Sequence, residues 1–463
     1  MSHRIVLVTS NPGLSKMAEE VAGVERLELT RFETAEAVLQ ADGTVADTCI
    51  VVDQGLTEMS AFDLVARLRE RHPEARRVLV SHTPTFEGLV SGLRRGADDV
   101  LFAPVDPDQF VRAIWANEES WPTFESLPGD ALSYCPTLVG GHPVMREVYR
   151  HILAFADRPA PVLITGETDT GKGVVARWVH AVSARRGEPF RVMNCAGIAS
   201  GVLESEVFGH ERGAFSGAEA SRRGHLESAG RGTLLLDEIG DASAAFQSAL
   251  VRVLEEGRYF RVGGDEERQF GGRVVAATNR DLHAQAAEGR FRQDLIFRLE
   301  VLNIHMPPLR ERGSDLEHLI DHFLGSRARA EERPRKRVSG KALRKLRRHP
   351  WPGNARELAH CLERAEALSS GPLIEERDVR LGAQGDPHGA DEARRDGSVG
   401  GRDLGWSSRP QRYVSPDDPA VEEARIREAL ELEGGHQGRA AERLGMHRIT
   451  LWRRMRRYGI ESP

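Results

Sequence analysis

The feature that most narrows what this chain can fold into is Gly166-Glu167-Thr168-Asp169-Thr170-Gly171-Lys172, set between the apolar run Val162–Thr165 and an amphipathic stretch, 174–180. Strand, loop and helix in that order aim successive backbone amides and a helix N-terminus at one point, which is what phosphate oxygens require. Lys172 adds a cation for the outer phosphates. The spacing alone also fits a glycine turn before an ordinary helix. Two further strands weigh against that reading. Thr233–Asp237 is an apolar run ending in Asp237 and Glu238, about 65 residues after the loop. Asp237 can hold Mg2+, and Glu238 can polarise an attacking water. Residues 274–278 form a third apolar run ending at Asn279, a polar group able to sense the outermost phosphate. The three together predict a P-loop ATPase core using ATP and Mg2+.

The chain has 463 residues, room for about three domains at roughly 150 residues each. In residues 1–118, apolar runs at 5–8, 27–29, 49–52, 78–80 and 100–102 alternate with amphipathic stretches at 14–22, 33–40, 61–71, 85–94 and 107–116. This alternation predicts a doubly wound parallel sheet. Pro122, Pro128 and Gly129 interrupt any period in 119–136, read as a linker. Residues 137–383 form the second block, closing in an Arg- and Lys-rich helical part at 333–348. Residues 384–416 hold many Gly, Asp, Arg, Ser and Pro and read as a flexible linker. Residues 417–463 are helical by pattern.

No run of eighteen apolar residues occurs, so no membrane span is predicted. The apolar run after Met1-Ser2-His3-Arg4 is too short for a secretory core, so a cytoplasmic chain is expected. Cys49, Cys135, Cys195 and Cys361 lie far apart without a CxxC, which argues against a zinc knuckle or a disulfide framework. The net charge of −6 taken alone points away from nucleic acid. Yet residues 434–460 hold seven Arg and one Glu, a local +6, leaving −12 for the remainder. A basic module on an acidic body is the better description, although only five of the 64 basic residues are Lys, so Arg is favoured chain-wide.

Residues 137–383 resemble the AAA+ domain of bacterial enhancer-binding proteins, the activators of sigma-54 RNA polymerase. Gly213-Ala214-Phe215-Ser216-Gly217-Ala218, preceded by Glu-Ser-Glu-Val-Phe-Gly-His at 204–210, follows the family's GAFTGA loop. The resemblance implies that this loop contacts sigma-54 through an exposed Phe215, with Ser216 keeping the usual hydroxyl and losing a methyl. It implies that Asn194 switches the catalytic Glu238, that Arg292 and Arg298 are trans-acting arginine fingers, that Asn279 is sensor I, and that Arg356 is sensor II on a helical lid. It also implies a ring, usually a hexamer, because each site draws on two subunits. Read without the resemblance, Arg292 and Arg298 fit a basic helix face equally well.

Two positions depart from the family. Asp169 stands where Gly is common, and Gly173 where Glu is common. Unless it points outward, a carboxylate at 169 would repel phosphate, and it tolerates fewer backbone angles than Gly. Gly173 weakens the start of the helix by up to about 1 kcal/mol relative to Ala.

The stretches 421–432 and 438–444, a turn at Gly445-Met446-His447, and 448–458 resemble a Fis-type helix-turn-helix. That resemblance places Arg448 and Thr450 near base edges of double-stranded DNA at an upstream enhancer site, and Arg453, Arg454, Arg456 and Arg457 near phosphates. Residues 1–118 resemble a response-regulator receiver of two-component systems, with Asp53 at the phosphoacceptor position and Ser81 at the switch position. However, Thr9-Ser10-Asn11 stands where an acidic pair should bind Mg2+, and Ala103-Pro104 where Lys-Pro is expected. Asp53 is therefore read as a strand-end acid capping a loop, with phosphoacceptor as the alternative. The block becomes a pseudo-receiver regulating the ring by packing, or through an unknown ligand or partner.

The expectation is a multidomain α/β chain: receiver-like sheet, AAA+ ATPase with helical lid, and all-α helix-turn-helix. It would remodel the closed promoter complex of the sigma-54 RNA polymerase holoenzyme at the cost of ATP. The alternative is a DNA-binding regulator of the same fold that binds nucleotide without productive hydrolysis, favoured by Asp169, Gly173 and Ser216. An AAA+ unfoldase or helicase would instead call for pore aromatics.

Overall fold

Alternating apolar and amphipathic segments build the first block as β1 (Arg4–Val8), α1 (Pro12–Glu25), β2 (Glu28–Phe32), α2 (Ala35–Gln40), β3 (Thr48–Asp53), α3 (Ala61–Arg71), β4 (Arg76–Ser81), α4 (Phe86–Arg94), β5 (Asp99–Phe102) and α5 (Pro107–Trp115). The computed structural model describes residues 4–41, 48–115, 121, 135–197, 201–381, 419–433, 435–444 and 448–460. The five strands are parallel, in the order β2-β1-β3-β4-β5. β3 and β5 are buried along their whole length and β1 from Ile5 onward. Helices covering both faces of a parallel sheet explain why these strands read as continuous apolar runs. Leu14, Met17 and Val21 of α1 and Phe110 and Ile114 of α5 close one core over Ile5, Leu7, Val51 and Val80. The edge strand β2 exposes Glu28 and Arg31, charges that discourage pairing with another chain.

The central block runs α6 (Pro143–Phe155), β6 (Val162–Thr165), α7 (Lys172–Ala181), β7 (Phe190–Asn194), α8 (Val202–Phe208), β8 (Gly209–His210), β9 (Arg222–Arg223), α9 (His225–Ala229), β10 (Thr233–Asp237), α10 (Ala244–Glu256), β11 (Arg258–Phe260), β12 (Glu267–Gln269), β13 (Arg273–Thr278), α11 (Leu282–Ala287), α12 (Gln293–Leu299) and β14 (Leu302–His305). Its main sheet is parallel, in the order β14-β6-β13-β10-β7. The register sets Thr278 beside Thr165 and Asp237 beside Asn194, so the three motif-bearing strands end along one rim. In open parallel sheets that rim is where ligands bind.

A helical lid follows: α13 (Asp315–Ala330), β15 (Arg337–Val338), α14 (Gly340–Arg348), α15 (Asn354–Leu368) and β16 (Leu373–Ile374). Leu316, Leu319, Leu324, Leu346, Trp351, Leu358 and Leu362 form its core. The basic stretch 333–348 is helical only from Gly340. Arg337 and Val338 pair with Leu373 and Ile374 instead, and the Ser339 hydroxyl accepts the Ala342 amide to start α14. The last block is α16 (Pro419–Leu432), α17 (Gln437–Arg443) and α18 (Arg448–Tyr458), closed by Ile426, Leu430, Ala440, Leu451 and Met455. The turn expected at 445–447, the linker expected at 384–416, and residues 119, 120 and 122–134 of the other linker lie outside the described residues.

The described residues form two compact units: those within 4–83, 95–115 and 419–460, and those within 84–94, 121 and 135–381. Helix α4, in sequence part of the first block, thus belongs to the central unit. Phe86 is fully buried there, its ring 4.9 Å from that of Trp178 on α7 and 5.2 Å from that of Tyr149 on α6. Thr85 and Val139 form an antiparallel bridge, with Phe86 N–H donating to Leu138 O at 3.0 Å and Gly140 N–H to Pro84 O at 2.9 Å.

Candidate functional site

The loop after β6 turns on two glycines that need the left-handed side of backbone space, Gly166 at φ 146° and Gly171 at φ 105°. A Cβ on Gly166 would stand 2.5 Å from the Met306 carbonyl oxygen, so the close approach of β14 also demands glycine. Gly171 starts α7 without a side-chain cap, leaving the helix's first amides for another acceptor. Lys172 is buried, with Nζ donating to the carbonyls of Gly166 and Glu167, both at 3.1 Å, and lying 3.8 Å from Glu238 Oε1. Glu238 sits at φ 52°, and its Oε2 accepts the Asn279 amide at 3.2 Å. Asn279 Nδ2 donates to Thr168 Oγ1 at 2.7 Å, which joins the end of β13 to the loop. Asp237 Oδ1 accepts the Glu238 amide at 3.1 Å. Asn194 lies level with Asp237, but its Oδ1 accepts the Ala196 amide rather than reaching Glu238. Burial, then the nearby carboxylates, push the Cys195 thiol up to about 12, so it stays a neutral filler beside the site.

An uncapped helix start, two left-handed glycines and a buried lysine fit the phosphates of a nucleotide. Among the described residues no cluster of three or more His, Cys, Asp or Glu could hold a metal unaided. A single carboxylate at Asp237 suits Mg2+, which takes phosphate oxygens as its other ligands.

From the lid side, several groups grip the same loop that the sequence did not single out. Arg310 binds Glu167 through two hydrogen bonds, at 2.9 and 2.6 Å, and thereby holds that carboxyl below its ordinary range. Asn354 Nδ2 donates to Glu167 Oε2 at 3.2 Å and to Thr168 O at 3.0 Å. Arg312, buried, donates to Thr170 O at 2.7 Å. Arg356 meets Asp169 at 3.0 Å. The carboxylate at 169 therefore faces a lid guanidinium. Gly173 lies in the first turn of α7 with nothing within 4 Å of where a Cβ would stand.

Residues 213–218 form a tight turn beyond the short β8–β9 pair. Gly213 N–H donates to Ala218 O at 2.8 Å and Ala218 N–H to Phe215 O at 3.0 Å. Gly213 and Gly217 have φ of 83° and 107°, Ser216 is exposed, and Ala218 is buried. Phe215 is 46% exposed, with the His210 ring centred 5.0 Å from its own. Arg292 precedes α12 and grips Asp294, while Arg298 in its last turn meets Glu255 at 2.9 Å. Arg448, Thr450, Arg453, Arg454 and Arg457 all lie on α18. The Arg448 side chain is exposed and donates to Val24 O at 3.0 Å. The side chains of Thr450, Arg453 and Arg457 lie outside the described set.

In the first unit Asp53 is 1% exposed, and both of its carboxylate oxygens are engaged. Thr9 Oγ1 donates to Oδ2 at 2.5 Å, and His82 Nε2 meets Oδ1 at 2.6 Å. Asn11 caps α1 through the amides of Gly13 and Leu14. Ser81 donates to Gln54 Oε1 at 2.8 Å. His82, one residue beyond β4, carried no signal in the sequence.

The parallel sheet with its phosphate loop, acidic strand end and arginine-bearing lid defines a AAA+ nucleotide-binding protein, here joined to a receiver-like sheet and a helix-turn-helix. Comparison with known proteins narrows the class. The Sigma-54 interaction domain matches residues 138–305, the AAA+ ATPase lid domain residues 310–395, and the Bacterial regulatory protein, Fis family, residues 419–458. The transcriptional regulatory protein ZraR of Klebsiella oxytoca is 37% identical over 420 residues, covering 88% of each chain. The regulatory protein AtoC of Escherichia coli is 32% identical, covering 99% of this chain and 98% of its own. The DNA-binding transcriptional regulator NtrC of Klebsiella pneumoniae is 34% identical, covering 94% of each. The crystal structure of NtrX from Brucella abortus in complex with ATP superposes with a TM-score of 0.51 at 26% identity, covering 99% of this chain and all of that one. The chain belongs to the sigma-54-dependent enhancer-binding regulators.

Proposed function

We propose that this chain binds ATP with Mg2+ at residues 166–173, hydrolyses it between subunits of a hexameric ring, and uses the cycle to open closed promoter complexes of sigma-54 RNA polymerase. The observation that carries this reading is the meeting of Lys172, at the start of α7, with Glu238 and Asn279, just past the ends of β10 and β13. Lys172, oriented by two loop carbonyls, supplies charge at the outer phosphates. Mg2+ at Asp237 would offset charge on the transferring phosphoryl group. Glu238 polarises the attacking water, with Asn279 linking it to the loop and Asn194 able to exchange Ala196 for Glu238. Arg292 and Arg298, both exposed, exchange Asp294 and Glu255 for the neighbouring subunit's site, which is why a ring is needed.

Residues 213–218 present Phe215 to sigma-54, since an exposed aromatic held between two left-handed glycines is an anchor seeking a pocket. Helix α18 reads DNA, with Arg448 and Thr450 at base edges and Arg453, Arg454 and Arg457 at phosphates. The receiver-like sheet acts by packing rather than through phosphorylation of Asp53.

The test is promoter opening in vitro by sigma-54 polymerase with ATP and with a non-hydrolysable analogue. Opening with ATP alone is expected, and Phe215→Ala should abolish opening while ATP turnover persists. DNA binding with no opening under either nucleotide would overturn this reading in favour of a non-hydrolysing regulator.

A further inference from the structure

Asp169 occupies a loop position at φ 60°, a conformation that Asn and Asp enter more readily than other side chains. Its Oδ1 stands 3.0 Å from Arg356 Nη1, near the start of α15. The carboxylate is largely covered, at 20% exposed, whereas the arginine side chain is 67% exposed. The loop is already laced to the lid without this carboxylate. Ala355 N–H donates to Asp169 O at 3.2 Å, Asn354 reaches Thr168 O, and Arg310 holds Glu167. What the 169 side chain adds is a negative charge on Arg356, within the same loop whose amides and lysine suit phosphate. An ion pair with one partner this exposed contributes about 0.2–1 kcal/mol, or about 1.4- to 5-fold in an equilibrium constant, and a polyanion can displace it.

We propose that Asp169 is an internal anion that competes with nucleotide phosphates for Arg356 and thereby sets the nucleotide affinity of this site. The inference rests on the nucleotide-binding reading above and adds a positioning residue to it. With aspartate at 169, Arg356 must exchange one anion for another when nucleotide binds, so part of its attraction for phosphate is cancelled. With an uncharged residue there, the whole of that attraction goes to the nucleotide.

Charge repulsion between Asp169 and phosphate would also weaken binding, and Arg356 separates the two effects. Competition requires Arg356, whereas repulsion does not. The experiment is calorimetric titration of the full chain with ADP and with a non-hydrolysable ATP analogue, for the natural protein, Asp169→Asn, Arg356→Ala and the double variant. Asparagine keeps the shape and tolerates the left-handed backbone, and Asp169→Gly serves as a second loop variant. Competition predicts that Asp169→Asn tightens binding about two- to fivefold when Arg356 is present, and by a clearly smaller factor in the Arg356→Ala background. Equal tightening in both backgrounds overturns it, as does weaker binding by Asp169→Asn. If none of the four proteins binds either nucleotide, the nucleotide site itself is refuted and the inference falls with it. Binding with equal effects removes only the competition.

Discussion

Truncating Phe86 to alanine probes the placement of α4 in the central unit. The ring is fully buried, lies 4.9 Å from Trp178 and 5.2 Å from Tyr149, and is carried on a backbone tied to Leu138. Removing a buried phenyl group loses its transfer free energy and leaves a cavity, together about 3–5 kcal/mol. Two aromatic contacts, each worth about 0.5–1.5 kcal/mol beyond area, place the loss toward the top of that range. For a denaturant slope of about 3 kcal/mol/M, the urea midpoint of the central unit should fall by about 1.3–1.7 M. The assay is equilibrium unfolding of the full chain followed by tryptophan fluorescence, since Trp178 is the neighbour of the lost ring. The chain forms two compact units, so a Trp178→Phe background identifies which transition that residue reports. Phe86→Leu, which refills most of the space, should lose less than half as much. A midpoint shift below about 0.3 M for Phe86→Ala, or a shift confined to transitions that Trp178 does not report, would refute the packing of α4 on α6 and α7.

Three further outcomes are expected. Gly173→Ala should stabilise the central unit by about 0.5–1 kcal/mol, because the position is helical and a Cβ meets nothing; a loss of stability would contradict this. Burial raises the Asp315 carboxyl from 3.8 to about 6 although it accepts the Gly141 and His142 amides. A raised native value means that its contribution is present below pH 4 and lost as pH rises through 6, a swing of about 3 kcal/mol. Stability measured against pH should therefore differ between the natural chain and Asp315→Asn over that window, and parallel curves would exclude the effect. Acetyl phosphate should leave Asp53 unmodified by intact-mass measurement, because Thr9 and His82 occupy both of its oxygens; phosphate recovered on Asp53 would overturn that.

The strand–helix alternation of the first block, the phosphate loop and the two polar strand ends were all legible in the sequence. Each is a local pattern: side-chain alternation reports burial, and a residue just past an apolar run falls at a sheet rim. The GAFSGA loop was singled out by its resemblance to the family's GAFTGA loop, and the structure shows residues 213–218 as a tight turn with Phe215 46% exposed. Arg310, Arg312 and Asn354 were not legible, because they reach the phosphate loop from more than 140 residues away and no local spacing ties them to it. His82 carries no local signal, because only the pairing of β3 with β4 puts it over Asp53.

Local sequence patterns place particular residues at the ends of parallel strands, and so set which chemistry the rim can hold. Tertiary structure alone decided which charges meet. A carboxylate at 169 reads as a liability toward phosphate until α15 brings Arg356 to within 3.0 Å of it. Helix α4 reads as part of the first sheet's cover until the rings of Tyr149 and Trp178 offer Phe86 a closed apolar seat. The physical reason is common to both. Secondary structure follows from near neighbours along the chain, while the partner of a charge or an aromatic ring is set by whichever distant segment removes it from water.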